Sequence, residues 1–160
     1  MPPLFHGDFL KDCSFRLNGQ PMSQLVMGAS AYPAFSGRSG YVNKPSYMCV
    51  PNFGALPIGK YYIVDRVSGG RLGWLRDWVK GDWFGLYAAD GRIDDETFCD
   101  GVKRGGFRLH PKAGRGISEG CITLDRPTDF DVVRGILIAT PKAFISGVDI
   151  LTYGAVNVTR

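Results

Sequence analysis

A mainly β fold with minor helix, arranged as a sandwich or barrel, is the class that this 160-residue chain predicts. Three observations carry it. Glycine at 22 and proline at 10 favour frequent turns and short strands over long helices. Ser14-Phe15-Arg16-Leu17 alternates polar and apolar residues and runs into Asn18-Gly19, a strong hairpin signal. The best helical spacing comes late, from Pro127, where Phe130, Val133 and Leu137 recur at three and four residues. With 44% apolar residues the chain can bury an ordinary core. No internal repeat or linker divides it, so one domain over 1–160 is expected.

The elements follow in order. Met22 to Met27 returns from the Asn18-Gly19 turn as a second strand. Ala31 to Phe53, rich in Gly, Pro, Ser and Tyr, reads as a long surface loop, and a loop of that length is usually functional, here as a cleft wall. Leu56 to Lys60 turns the chain into the β-rich run Tyr61 to Asp65. Trp74, Trp78 and Trp83, with Phe84, read as a short helix or an aromatic flap, serving satellite core packing or an apolar groove wall. Gly85 to Ala89 is a strand, Asp90-Gly91 a turn, and Asp94-Asp95-Glu96 solvated turn chemistry. Thr128 is the expected N-cap of the late helix. Val148 to Tyr153 and Ala155 to Thr159 are expected to close the fold as strands.

Composition excludes several classes. No run of 18 apolar residues is present, so no membrane span is expected. The N-terminus lacks the basic leader, apolar run and cleavage site of a signal peptide, so synthesis in the cytosol is expected. The net charge of +4 includes a cluster at Lys103-Arg104, Arg108, Lys112 and Arg115, read either as a solvated face or as attraction for an anionic polymer. No nucleic-acid-binding signature accompanies it. Cys13, Cys49 and Cys99 form no C-x-x-C pair; they permit one disulfide at most, and buried small hydrophobes are the favoured reading. With only His6 and His110 to join the thiols, neither a metal nor a cofactor is expected.

The chemistry concentrates in Phe107-Arg108-Leu109-His110-Pro111 and Ser118-Glu119-Gly120-Cys121-Ile122-Thr123-Leu124. A thiol becomes a nucleophile on losing its proton, and a neighbouring imidazole is the usual agent. Glycine before the cysteine permits a tight turn and leaves backbone N–H groups to face an oxyanion. The spacing from His110 to Cys121 exceeds one helical face, so the pair must meet through a loop between two elements. A lone cysteine is more often a core thiol, and a histidine before proline often just ends a strand. Their joint occurrence with Ser118 and Gly120 favours catalysis.

This motif resembles that of the L,D-transpeptidase (YkuD-type) domain, closest to its type VI secretion effectors that attack peptidoglycan. Phe15 to Met27 is similar to that family's opening hairpin and Gly54 to Tyr61 to its turn-to-strand element; the likeness runs from about residue 14 to about residue 158. The wider family usually carries histidine where this chain has Glu119, and arginine where it has Thr123; both departures fit the effector branch.

The resemblance implies an L,D-transpeptidase-like barrel or sandwich with one or two short helices and a catalytic cleft. It implies Cys121 as nucleophile, His110 as base, Ser118 as an orienting group and Gly120 as part of the oxyanion site. Arg108, Arg115, Glu119 and Thr123 are substrate-binding candidates, with Arg108 or Arg115 taking the electrostatic role of the absent arginine. The substrate would be peptidoglycan stem peptides, cleaved or exchanged in a rival's periplasm by a monomer. An immunity protein and type VI delivery components would be its partners. Competing readings are a cross-linking enzyme of wall maintenance and a wall-binding module with an inert Cys–His pair. A papain-like design fits poorly, because there the cysteine usually precedes the histidine.

Overall fold

Alternation of inward apolar and outward polar residues, repeated over eight short segments, closes into a barrel. The computed structural model describes residues 11–66, 83–112 and 120–160. Strand β1 (Lys11–Arg16) and β2 (Ser23–Met27) form the expected hairpin, pairing Cys13 with Met27 and Phe15 with Leu25. Its turn is longer than two residues: Asn18 accepts from the Gln20 amide and donates to the Met22 carbonyl, while Gly19 takes φ 71°.

Next comes β3 (Ser30–Phe35), antiparallel to β2. This corrects the expectation of a loop from Ala31. Pro33 obscured the strand, yet its carbonyl still accepts from the Asp125 amide. The loop proper runs from residue 36 to residue 58, with a 3-10 turn at Pro45–Tyr47. Two buried polar residues fasten it. The Asn43 carboxamide accepts from Ser36 N–H and donates to the Gln20 carbonyl, and the Ser36 hydroxyl accepts from Leu56 N–H. A buried loop must satisfy its polar backbone in this way.

Strands β4 (Gly59–Asp65) and β5 (Phe84–Ala88) pair antiparallel, with Tyr61 opposite Ala88 and Ile63 opposite Leu86. A small outlying hairpin, β6 (Glu96–Cys99) and β7 (Val102–Gly105), went unpredicted. Its Asp100-Gly101 turn has positive φ at both residues, 49° and 78°, the geometry that matches the twist of paired strands. Strands β8 (Arg108–Pro111) and β9 (Ile122–Leu124) follow, then helix α1 (Pro127–Ile138).

The N-cap of α1 is Arg126 rather than Thr128, because Pro127 occupies the first helical turn, where its missing N–H costs nothing. Phe130, Val133 and Leu137 are buried as their spacing predicts, and Gly135 does not end the helix. The expected strand from Val148 shrinks to β11 (Leu151–Thr152), paired with β10 (Ala143–Phe144); the chain ends in β12 (Gly154–Thr159).

The barrel order is β1-β12-β4-β5-β8-β9-β3-β2. Two contacts in it are parallel: β1 with β12, which joins the two ends of the chain, and β8 with β9. Inward residues Phe15, Leu25, Tyr61, Leu86, Leu109 and Ile122 are each at most 2% exposed and share one core with the buried face of α1. Gly154 is required where β12 starts against β1, since a Cβ there would collide with the Lys11 backbone. The expectation of a mainly β barrel holds, with one α-helix among the described residues.

Candidate functional site

Parallel pairing of β8 and β9 decides where the chemistry lies. Its register sets Leu109 beside Ile122, His110 beside Thr123, and Pro111 beside Leu124. Leu109, Ile122 and Leu124 face the barrel core. Side chains alternate along a strand, so His110 and Thr123 share the outer face, and Cys121 immediately precedes β9. The parallel register therefore sets His110 beside Thr123, two residues after Cys121.

His110 is 6% exposed and held on three sides. The indole of Trp83 stacks on its ring, with centroids 4.2 Å apart and planes inclined by 18°. Its Nδ1 lies 2.8 Å from the Pro111 carbonyl oxygen. A carbonyl only accepts, so Nδ1 carries a proton, and in the neutral form of the ring the lone pair lies at Nε2. The Thr123 hydroxyl is 3.4 Å from that Nε2. Trp83 thus does what an aromatic wall does, while Trp74 and Trp78 lie outside the described residues. Thr123, a substrate-binding candidate from sequence, is fully buried and directs its hydroxyl at the imidazole.

Gly120 takes φ +91°, a backbone that side-chain-bearing residues rarely adopt. A Cβ there would stand 2.6 Å from Arg104 Nη2 and 2.8 Å from Phe107 Cε1. Cys121, 9% exposed, borders a cavity of about 430 Å³ that Pro51, Asn52, Trp83, Arg104 and Arg108 also line. The long loop contributes Pro51 and Asn52, so it does form one wall of this space.

Arg108 lines the cavity but is engaged: its two terminal nitrogens meet the two Asp95 oxygens at 2.7 and 2.8 Å, and it donates to the Phe107 carbonyl. This bidentate pair raises the Arg108 pKa further. Asp95, expected in a solvated turn, instead anchors an arginine. Lys103 pairs with Glu96 at 2.8 Å and Lys112 with Asp125 at 3.5 Å, so much of the basic cluster has acidic company. Ser118, Glu119 and Arg115 lie outside the described residues.

Arg104 was missed as a site residue. It is 4% exposed, donates to the carbonyls of Met48, Gly54 and Ala55, and lies 5.3 Å from the Phe107 ring centre. Burial pulls its pKa down, opposed by the charges of Tyr61 and Cys121. Its only signal in the sequence was membership of a basic run, which does not distinguish a buried cation from a solvated one.

Cys49 and Cys99 are joined in a disulfide, which overturns the favoured reading of both as free core thiols. It ties the long loop to the β6–β7 hairpin, immediately after Met48, whose carbonyl holds Arg104. The thiol reading holds for Cys13, whose side chain is 3% exposed in the barrel core. Among the described residues no cluster of three metal-ligating side chains occurs, and no helix is long and apolar enough to cross a membrane.

A closed barrel with a histidine on β8 and a cysteine at the entry to the parallel β9 defines a β-barrel protein with a candidate thiol site. The sequence matches the family model of the Tlde1 domain over residues 30–148, and the chain belongs to that family, one of type VI secretion effectors. The matched span includes β8, β9 and α1; β1, β2, β11 and β12 lie outside it. No curated protein and no solved structure matches the chain.

Proposed function

We propose that the protein is a cysteine L,D-carboxypeptidase and L,D-transpeptidase that acts on peptidoglycan stems in the periplasm of a target cell. The observation that supports this reading is the β8–β9 register, which sets His110 beside Thr123, two residues after a Cys121 that borders a cavity with guanidinium groups on its wall. Membership of an effector family supports the compartment, and the YkuD-like motif supports the substrate.

In this mechanism His110 Nε2 takes the thiol proton, or holds the thiolate already formed, and the Pro111 carbonyl keeps the required tautomer. Sulfur attacks the carbonyl of the bond between meso-diaminopimelate and D-alanine. Backbone N–H groups at Gly120 and Cys121 receive the oxyanion. Collapse expels D-alanine, whose nitrogen is protonated by His110, and leaves a thioester on Cys121. Water then releases a tripeptide, whereas a free D-amino acid re-forms a tetrapeptide with a new terminus. Both outcomes remove or spoil donor stems for cross-linking. An immunity protein that covers the cavity would protect the producer and its siblings.

The test is periplasmic expression of wild type and Cys121→Ala in a sensitive bacterium, followed by muropeptide analysis. Tripeptides or exchanged tetrapeptides should accumulate with wild type alone. New L,D-cross-linked dimers would instead favour a wall-building enzyme, and lysis by both forms would sink the thiol mechanism.

A further inference from the structure

A buried arginine without a carboxylate is an expensive arrangement, because desolvation of the cation must be offset locally. Arg104 is such a residue among the described ones. Carbonyl oxygens of Met48, Gly54 and Ala55 accept from it, and the Phe107 face lies against it. These dipoles solvate the guanidinium without cancelling its charge. Arg108, by contrast, is neutralised by both oxygens of Asp95. Among the described residues no carboxylate pairs with Arg104, and its Nη2 lies against the turn at Gly120. That turn leaves no room for a Cβ between Arg104 Nη2 and the Phe107 ring. Arg104 and Cys121 also border the same cavity.

We propose that Arg104 is a positioning residue for Cys121: its carbonyl-cradled guanidinium supplies the positive charge that favours the thiolate, and its contact with Gly120 holds the turn that presents the sulfur. A cation beside a thiol lowers the energy of the ionised form, which is how reactive cysteines are made in partly enclosed sites. The cradle explains why the charge stays put. Three acceptors converge from a segment roughly fifty residues earlier in the chain, and the Cys49–Cys99 disulfide fastens that segment beside the first of them. Arg104 and Cys121 feel each other's charge in the native fold, consistent with this geometry. Arg108 also borders the cavity and feels the charge of Cys121, but Asp95 holds both of its terminal nitrogens.

The proposal deepens the reading of Cys121 as the reactive thiol and rests on it, but its test needs no peptidoglycan. The rate of Cys121 alkylation by iodoacetamide is measured against pH on the disulfide-intact protein, with peptide mapping to separate Cys121 from Cys13. The wild-type midpoint should fall at least about one unit below the ordinary thiol value of about 8.5. Arg104→Gln, which keeps N–H donors for the carbonyls and loses the charge, should raise it by about one unit. Arg104→Lys should stay within about half a unit of wild type. Folding of each variant is checked by near-ultraviolet circular dichroism. A wild-type midpoint at or above about 8.5 overturns the proposal even if Arg104→Gln does not fold, as does a folded Arg104→Gln with the wild-type midpoint. Normal alkylation profiles with no tripeptide formed would instead leave Arg104 in place and remove the peptidoglycan reading.

Discussion

Arg104 and Gly120 are in contact by necessity: the guanidinium occupies the space beside Gly120 that any other residue's Cβ would enter, 2.6 Å from Nη2. Sixteen positions apart in sequence, they meet only in the tertiary fold.

Gly120→Ala should therefore cost more than a positive-φ glycine ordinarily does. Backbone strain contributes about 1–2 kcal/mol and forced repacking about 1–3 kcal/mol, so a loss of about 3 kcal/mol is expected in urea denaturation. Gly19→Ala is the control, since Gly19 has φ +71° and open space around it; it should lose about 1 kcal/mol. Equal losses at the two positions would show that the contact with Arg104 has no energetic weight.

Thr123→Val tests the hydroxyl beside the imidazole. Shape is nearly conserved, so the barrel should keep its stability within about 1 kcal/mol. Turnover of a tetrapeptide substrate should fall roughly fivefold, the worth of about 1 kcal/mol of one hydrogen bond, with the loss in kcat and KM unchanged. A change confined to KM would return Thr123 to the role of a substrate contact.

Removing the disulfide by Cys49→Ser with Cys99→Ser should destabilise the fold by about 4 kcal/mol on the chain-entropy account, given its sequence separation of 50. Because the Met48 carbonyl holds Arg104, the same double variant should shift the Cys121 alkylation midpoint upward. Unchanged urea midpoints before and after reduction would contradict this.

Alkaline stability reports on Cys13. Burial, with a smaller contribution from Asp12, pushes its thiol from 9.0 up to about 12. The unfolded chain then releases this proton before the folded one does, so the native state binds more protons and stability falls as pH rises above 9. The loss continues until the folded thiol ionises near 12. Tyr153, raised to about 12 mainly by burial, joins only above 10. Between pH 9 and 10 wild type should lose about 1 kcal/mol more than Cys13→Ala does. Parallel curves for the two proteins would argue against a buried Cys13 thiol.

Much of the fold was legible locally. Alternation located β1, the turn after it located β2, β-rich runs between turns located β4, β5 and β12, and the three-and-four spacing located α1. Where local chemistry conflicted with tertiary pairing, legibility failed. Pro33 made β3 look like loop, and the acidic run 94–96 concealed a hairpin whose Asp100-Gly101 turn was in plain view. At the site, His110, Gly120 and Cys121 stood out because their residue types carry chemistry. Trp83 could be read only as wall or packing, and it proved to stack on His110.

The order of residues already specifies a mainly β chain, many of its turns, its helix, and the motif that carries His110 and Cys121. The closed barrel, the disulfide and the placement of Arg104 come from contacts between distant segments. β1 pairs in parallel with β12 at the opposite end of the chain, and Arg104 finds its acceptors about fifty residues upstream. Whether a charged side chain is solvated or buried depends on which carbonyls surround it, and no local pattern of residues encodes that. Tertiary packing turned one member of a basic run into the cation beside Cys121.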